Sequence, residues 1–494
     1  MTRPAIARAL PLALAAGLSC AALACTALSP AGNGGWSEAR RQQELARARA
    51  MSAVVAPLAE TDRAAPRRLD LTTALDLASR HNRTIAAAGA AVEAAAGDVA
   101  VARAALLPTN SIRGAYNWYS DEQTNSVDLD PAIFQLPPNT PLPVVTVREQ
   151  DFATVSAAVR LAIDLSGELR HGLGAAQASF RAESARAWAT RLEEESAVTA
   201  AYFGLLEAER LREVAQRTNA LYRRQLSDAT SRYDQGRLTR NEVLVVDVAL
   251  ADSLQTMLRL DNAIAVSRRR LNRTTGLDID APTEVDDVAG RPDLPPLEEV
   301  LAAARAGNPL VTSMLEEVQA SDARLAAARR SRFPRVAVAG GYDATTQQIV
   351  SPNNYGSVGV TVDFDLVSLR REGEIAKLDA ASRRSRLLLD RSVREVEALV
   401  RDSHDLVRER LAAIDLASAA VGQAEENLRI RQAQFDEGRA TSDDLLDASR
   451  LAAMQRALLA SALYQSHVRR AELELLTGKS LTNQRNAEQG DPTR

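Results

Sequence analysis

Residues able to do covalent or metal chemistry are few in this chain and poorly spaced for it. The four histidines, His81, His171, His404 and His467, are scattered and none is paired with a second ligand at helical spacing. The two cysteines, Cys20 and Cys25, both fall at the N-terminus, which leaves no disulfide framework. No phosphate loop, metal-ligand cluster or nucleophile elbow occurs. The chain is therefore expected to be no enzyme and to hold no cofactor and no metal, with each histidine an ordinary surface or seam residue. The polar chemistry that does stand out is helix capping. Tyr233-Asp234-Gln235-Gly236-Arg237-Leu238-Thr239-Arg240-Asn241-Glu242 sets a glycine where a helix C-terminus needs a left-handed residue, then a Thr-x-x-Glu capping box. The stretch from Phe435 to Asp444 repeats the pattern with Gly438, Arg439, Thr441 and Asp444. Both read as tips of tight αα-hairpins. Just past the second tip, Asp444 and Asp447 stand one helical turn apart and can share a face. Asp443 beside them also fits a plain solvated charged surface.

The elements that must position these tips are written twice. Leu71, Leu75, Ala78, Asn82, Pro108, Gly114 and Tyr116 recur 226 residues later as Leu297, Leu301, Ala304, Asn308, Pro334, Gly340 and Tyr342. The offset becomes 201 at Asp164/Asp365 and 202 at Gly236/Gly438 and Gly276/Gly478. Two structurally equivalent copies are implied, differing mainly by extra residues in one connection of the first, about Asp121 to Glu149. With 4% aromatic residues over 494 positions, and heavy use of Ala, Leu, Arg and Glu, the composition points to long helices. A net charge of −4 and a pI of about 5.8 leave no basic footprint, so nucleic acid is not an expected partner.

Arg3 and Arg8, an apolar run from Ala9 to Leu18 and Ala22-Leu23-Ala24 read as a signal peptide over 1–24, too short to span a membrane. Two processing routes fit: ordinary cleavage after Ala-x-Ala, or lipid attachment at Cys25, whose site lacks the usual leucine three residues earlier. The rest divides into a periplasmic arm at 25–68 with a charged, helix-compatible stretch from Glu38 to Arg49; a first repeat at 69–277; a Pro-rich, acidic connector at 278–296; a second repeat at 297–481; and a polar, disordered tail at 482–494. Each repeat follows one plan: a helix of about 40 residues, a proline, a strand hairpin, a very long helix, a glycine turn and a returning helix.

The strands alternate with period two. Val155, Val159, Leu161 and Ile163 share a face against Ser156, Arg160 and Asp164, and Val358, Val360, Val362 and Phe364 share one against Ser357, Thr361, Asp363 and Asp365. Ile112, Tyr116 and Trp118, and Val336, Val338 and Tyr342, form the matching faces of their partners. Alternation alone also fits a half-buried soluble sheet. Membrane insertion is favoured by strands of about 10 residues, by the export signal, and by the lack of an amphipathic helix to cover the apolar face. Tyr116, Trp118 and Tyr342 would sit as interfacial aromatics. Four strands cannot close a barrel, and open edges are untenable in lipid. Several protomers must therefore close it, eight strands in a dimer or twelve in a trimer.

Proline-free runs from Glu168 to Asp234 and Leu369 to Asp436 predict helices of about 100 Å each. Val243, Val246, Leu250, Met257 and Leu260 fit a and d heptad positions with Ser253 as the exception, and Leu211, Val214, Thr218 and Leu221 fit the preceding helix.

With its Gly-containing tips, its Leu-x-x-x-x-Gly endings (Leu271 to Gly276, Leu473 to Gly478) and its strand placement, the chain resembles the TolC-like outer membrane efflux family over about Leu69 to Leu481. The resemblance implies a mainly α fold with membrane β: a homotrimer with a twelve-stranded barrel in the outer membrane, continued by a long α-helical coiled-coil barrel in the periplasm. It also implies docking to a periplasmic adaptor and an inner-membrane transporter. By the same resemblance Gly236, Arg237, Thr239, Gly438, Arg439 and Thr441 are adaptor-contact tips. Asp444 and Asp447 form an acidic ring at the pore gate, where the first copy has Glu242 and Val245, and crowding there raises some carboxyl pKa values. The tyrosine and arginine of the family's tunnel latch are replaced by Phe435 and Ala440, so that bond network does not carry over. The function expected is the exit duct of a tripartite efflux system in a Gram-negative outer membrane. The alternatives are a type I protein secretion duct or a periplasmic coiled-coil adaptor or scaffold.

Overall fold

The computed structural model describes residues 68–126, 144–287, 290–347 and 351–479. The expected signal peptide, Cys25, the arm before Arg68 and the tail from 482 lie outside these residues. From β1 (Arg68–Leu69) the chain passes through α1 (Leu71–His81), α2 (Arg83–Ala104), β2 (Thr109–Trp118), β3 (Gln123–Ser126), β4 (Val144–Arg148), β5 (Asp151–Ile163), α3 (Glu168–Asp234) and α4 (Arg240–Thr275). After β6 (Glu284–Val285) come α5 (Leu297–Gly307), α6 (Pro309–Arg330), β7 (Arg335–Thr345), β8 (Asn354–Asp363), α7 (Leu369–Asp436) and α8 (Ser442–Leu476). Helices in the two halves match in order and nearly in length: 11 and 11, 22 and 22, 67 and 68, and 36 and 35 residues. The long first strand loop contributes β3 and β4, paired antiparallel. By length and composition α2, rich in alanine, is the one described helix apolar enough to cross a membrane.

The chain divides into two compact units. One contains Gly97–Gln177 and Gln319–Arg383. Its centre is an antiparallel four-stranded sheet ordered β2-β5-β7-β8, so strands from the two halves meet at β5 and β7. Residues directly opposite across antiparallel strands share a face, and the registers Ile112↔Ala157, Leu161↔Val338 and Val338↔Val360 bring every predicted apolar stripe to the same side. On that side Ile112, Tyr116, Trp118, Val358, Val360 and Val362 are 61 to 86% exposed. The other side carries Ser156, Arg160, Asp343, Ser357, Thr361 and Asp363, and Arg160 approaches Asp363 at 3.8 Å. Asp164 departs from its predicted strand face. The strand ends at Ile163, and the Asp164 carboxylate accepts from the Leu169 and Arg170 amides at the start of α3, at 3.3 and 3.0 Å. The positive end of the helix dipole favours an anion there.

The second unit holds residues 68–96, 178–318 and 384–479 apart from 288–289. Here α1 buries Leu71, Ala74, Leu75 and Ala78 with Val198, Tyr202 and Leu205 of α3. Equivalently, α5 buries Val300, Leu301 and Ala304 with Val396, Val400 and Val407 of α7. The pairs Leu75/Leu301 and Ala78/Ala304 recur in the sequence because each inserts into the same kind of seam.

The helix of about 40 residues expected to open each repeat is two helices. Asn82 and Asn308 break it with extended backbone, ψ 121° and 120°. Asn82 Oδ1 accepts from the amides of Thr84 and Ile85, and Asn308 Oδ1 from those of Leu310 and Val311. Satisfying the donors of the next helix in this way makes an N-cap more stable than continued helix, and Pro309 disfavours helical backbone at Asn308. The Asn82 amide also donates to Thr274 O at 3.2 Å and that of Asn308 to Leu476 O at 3.0 Å, tying each break to the end of the returning helix. Gly276 closes against the first break. With φ +78° and an added Cβ 2.7 Å from His81 Cβ, no side chain fits there.

The heptad assignment needs one shift. In α4, Val246 is buried and Val243 and Leu250 pack beside it, as predicted. In α3 the buried line is Asn219, Tyr222 and Ala229, one residue from the predicted Leu211, Val214, Thr218 and Leu221, which are half-buried. The heptad exception explains the shift: Asn219 donates to Ser253 Oγ at 2.7 Å, and Ser253 donates to Leu250 O, so a satisfied polar pair replaces an apolar knob.

Candidate functional site at the hairpin tips

Both tips end their long helices the same way. Gly236 has φ +70° and Gly438 +74°. Gly236 N–H donates to Tyr233 O and Arg237 N–H to Arg232 O, each at 2.8 Å, and Gly438 and Arg439 donate likewise to Phe435 O and Gln434 O. This paired pattern satisfies the last carbonyls of α3 and α7 and needs a left-handed residue, which glycine supplies without strain. The next helix starts at once. The Glu242 carboxylate accepts from the Thr239 amide and hydroxyl at 2.9 and 3.0 Å, and that of Asp444 from the Thr441 amide and hydroxyl at 3.0 and 2.8 Å. Gly236, Arg237, Thr239, Gly438, Arg439 and Thr441 are all exposed, so the predicted tip residues do stand at two open turns.

The predicted carboxylates do not behave alike. Asp444 is half-buried, turned back into its cap, and 4.0 Å from Arg431. Hydrogen bonds from the Thr441 backbone and hydroxyl hold its carboxyl below the usual 3.8, so within one chain its pKa moves opposite to the direction expected for a crowded ring. Asp447 is 78% exposed at its side chain and 3.6 Å from Arg450. Asp443, Asp447 and Arg450 together form the exposed polar line on α8.

One contact escaped the sequence. Arg232, four residues before the first tip glycine, reaches the end of α7. Its Nη1 donates to Phe435 O at 2.6 Å, its Nη2 pairs with Asp436 Oδ1 at 3.1 Å, and the guanidinium lies 4.4 Å from the Phe435 ring centroid. Phe435 is buried beneath it. A clasp thus joins the ends of α3 and α7 beside the two tips, with the positive charge on the first hairpin. The signal for it was present in Arg232, Phe435 and Asp436, but nothing local ties residues 203 or 204 apart.

Two histidines find a structural role in the connector. His404 Nε2 lies 3.1 Å from Pro295 O, and His467 Nε2 3.0 Å from Gly290 O with its ring stacked on Phe203. The Tyr202 hydroxyl reaches Asp286 O at 2.6 Å, and that of Tyr464 donates to Asp287. Burial and Asp287 push the Tyr464 phenol up to about 12. β6 pairs with β1 in parallel, so the connector is pinned along most of its length. Among the described residues no group of three or more His, Cys, Asp or Glu side chains is placed to hold a metal ion.

A long helical-hairpin chain with one exposed apolar sheet is the fold of TolC-like outer membrane channels, and solved structures of that class superpose on it. The outer membrane protein VceC of Vibrio cholerae matches with a TM-score of 0.70 at 18% identity, over 83% of this chain and 96% of that one. The CmeC outer membrane channel of Campylobacter jejuni gives 0.71 at 14%, over 89% and 95%. The MtrE outer membrane channel of Neisseria gonorrhoeae gives 0.66 at 17%, over 85% and 90%. Comparison with curated protein sequences returned no match. The family model for outer membrane efflux proteins matches twice, over residues 74–277 and 300–479, and the chain belongs to that family. Its members are channels and not enzymes, which removes the adaptor or scaffold alternative.

Proposed function

We propose that the chain acts as a homotrimeric exit duct of a tripartite efflux system, carrying substrates passively across the periplasm and the outer membrane. One observation carries this reading: a sheet whose apolar side is exposed in the outer strands and whose edges, β2 and β8, have no partner among the described residues. Lipid tolerates the apolar side but not the edges. Three copies pairing β2 to β8 give a closed barrel of twelve strands, and each contributes two hairpins to a periplasmic tunnel. The duplicated plan supports this arrangement, since two equivalent hairpins per chain make six similar units around the axis.

The exposed tips at Gly236 to Thr239 and Gly438 to Thr441 suit the hairpins of a periplasmic adaptor, with an inner-membrane transporter supplying the energy. Asp444 and Asp447 from three chains would place six carboxylates at the periplasmic entrance and favour cations. Asp447 is the freer of the two, because Asp444 also caps α8. Extraction from outer membranes is expected to give a heat-sensitive oligomer that conducts with cation preference in planar bilayers. A monomer in the soluble periplasmic fraction would sink the proposal.

A further inference from the structure

The two ends of the sheet are chemically different. Ile163 lies opposite Val336 and Arg335 opposite Asp363, so the end of β5, the start of β7 and the end of β8 meet where the strands join their helices. At that level Leu165, Phe333, Phe364, Leu366, Val367 and Leu369 are 50 to 86% exposed. They add exposed apolar side chains beyond the sheet's last paired residues. Large apolar side chains left uncovered at one end of a sheet mark an interaction site.

Arginines are set among these side chains. Arg332 pairs with Glu372, Arg335 with Glu168 at 2.6 Å, and Arg170 with Asp164 at 3.4 Å. Arg330 and Arg370 have no carboxylate within ion-pair distance among the described residues. The Arg330 guanidinium instead lies 5.9 Å from the Phe333 ring, and Arg370 follows exposed Leu369. The bridges Arg332–Glu372 and Arg329–Asp379 join the end of α6 to the start of α7, which puts Arg330 and Arg370 on two helices held side by side. At the far end of the sheet the balance reverses, with Asp121, Glu122, Glu149, Asp151 and Asp343 against Arg148.

We propose that the helix-side end of the sheet is a collar for anionic phospholipid, with Arg330 and Arg370 taking the headgroup phosphate while Phe333, Leu366, Val367 and Leu369 lie against the acyl chains. Arginine at the boundary of an apolar band answers phosphate charge while its stem stays in the apolar layer. This inference rests on the sheet being the membrane-embedded part of the channel. The competing cover for Leu366 and Val367 is a neighbouring protomer, because β8 is an edge strand.

The test uses the full-length protein extracted from outer membranes. Oligomer migration and bilayer conductance are measured first, so failure of the channel reading shows before any lipid is added. Native mass spectrometry then compares retention of phosphatidylglycerol and phosphatidylcholine with the same acyl chains. The wild type is expected to prefer phosphatidylglycerol about thirtyfold, from two cationic contacts. The double variant Arg330→Gln/Arg370→Gln should lose that preference with its oligomer and conductance intact. No preference in the wild type, or one that the double variant keeps, overturns the proposal. So does a Leu366→Ser/Val367→Ser variant that dissociates into monomers while retaining phosphatidylglycerol as well as the wild type.

Discussion

Removing the Arg232 clasp is the sharpest test of how the hairpin tips are held. Its Nη1 donates to Phe435 O at 2.6 Å, and a charged donor to a carbonyl is worth about 1.5–3 kcal/mol. The Asp436 side chain is 55% exposed, so that ion pair adds about 0.5 kcal/mol after solvent screening. Stacking over Phe435 adds about 0.5–1 kcal/mol. These contacts share one side chain and do not sum, so Arg232→Ala should weaken the hold by about 2–3 kcal/mol. That corresponds to a shift of about 30- to 150-fold between clasped and parted tips. In single-channel bilayer recordings the variant should show longer open times or larger conductance than the wild type. Asp436→Asn, which removes only the screened ion pair, should change the equilibrium by about twofold. Arg232→Lys, keeping the charge but not the planar fork, should fall between. An Arg232→Ala channel with wild-type conductance and lifetimes would refute the clasp, and an Asp436→Asn effect as large as Arg232→Ala would refute the ranking of its contacts.

Replacing Asp447 with alanine should reduce cation selectivity in bilayers more than replacing Asp444, whereas Asp444→Ala should chiefly lower amide-exchange protection at the second tip; equal effects on selectivity would remove the distinction. Because the Asp444 carboxyl is held below 3.8, its capping contribution is present above that value and lost as pH falls through the lower folded value, so tip protection should persist at pH 5. Asn308→Ala removes the cap of α6 and a bond to Leu476 O, and should lower the heat-dissociation temperature through a loss of about 1–2 kcal/mol; an unchanged temperature would show that the break is held elsewhere. Burial raises the Glu209 carboxyl above its usual 4.5, against the pull of Arg268 and with a push from Glu284. Its ionisation therefore costs stability from about pH 4.5 upward, in full once pH exceeds the raised folded value, so Glu209→Gln should raise the melting temperature at pH 7.5 and lose that advantage below pH 4.5. A variant less stable than the wild type at pH 7.5 would show that the Arg268 contact outweighs burial.

What the sequence determined by itself is what neighbouring residues decide. Gly236 and Gly438 followed by Thr-x-x-Glu and Thr-x-x-Asp specify two hairpin tips, because glycine alone enters the left-handed turn freely and a carboxylate three residues past a threonine satisfies free amides. Period-two alternation set which strand residues share a face, since side chains on a strand point alternately to its two sides. The recurrence of Leu75 and Ala78 as Leu301 and Ala304 marks two equivalent seams. The breaks at Asn82 and Asn308 were visible only as repeated residues. Their effect depends on carbonyls of Thr274 and Leu476, 192 and 168 positions away. Only the tertiary structure decided that β5 of the first half pairs with β7 of the second, that Asn219 meets Ser253, and that Arg232 closes on Phe435. Each of these is a choice among many side chains of suitable chemistry, made by which helices and strands pack together, and a pattern that extends over a few residues carries no record of it.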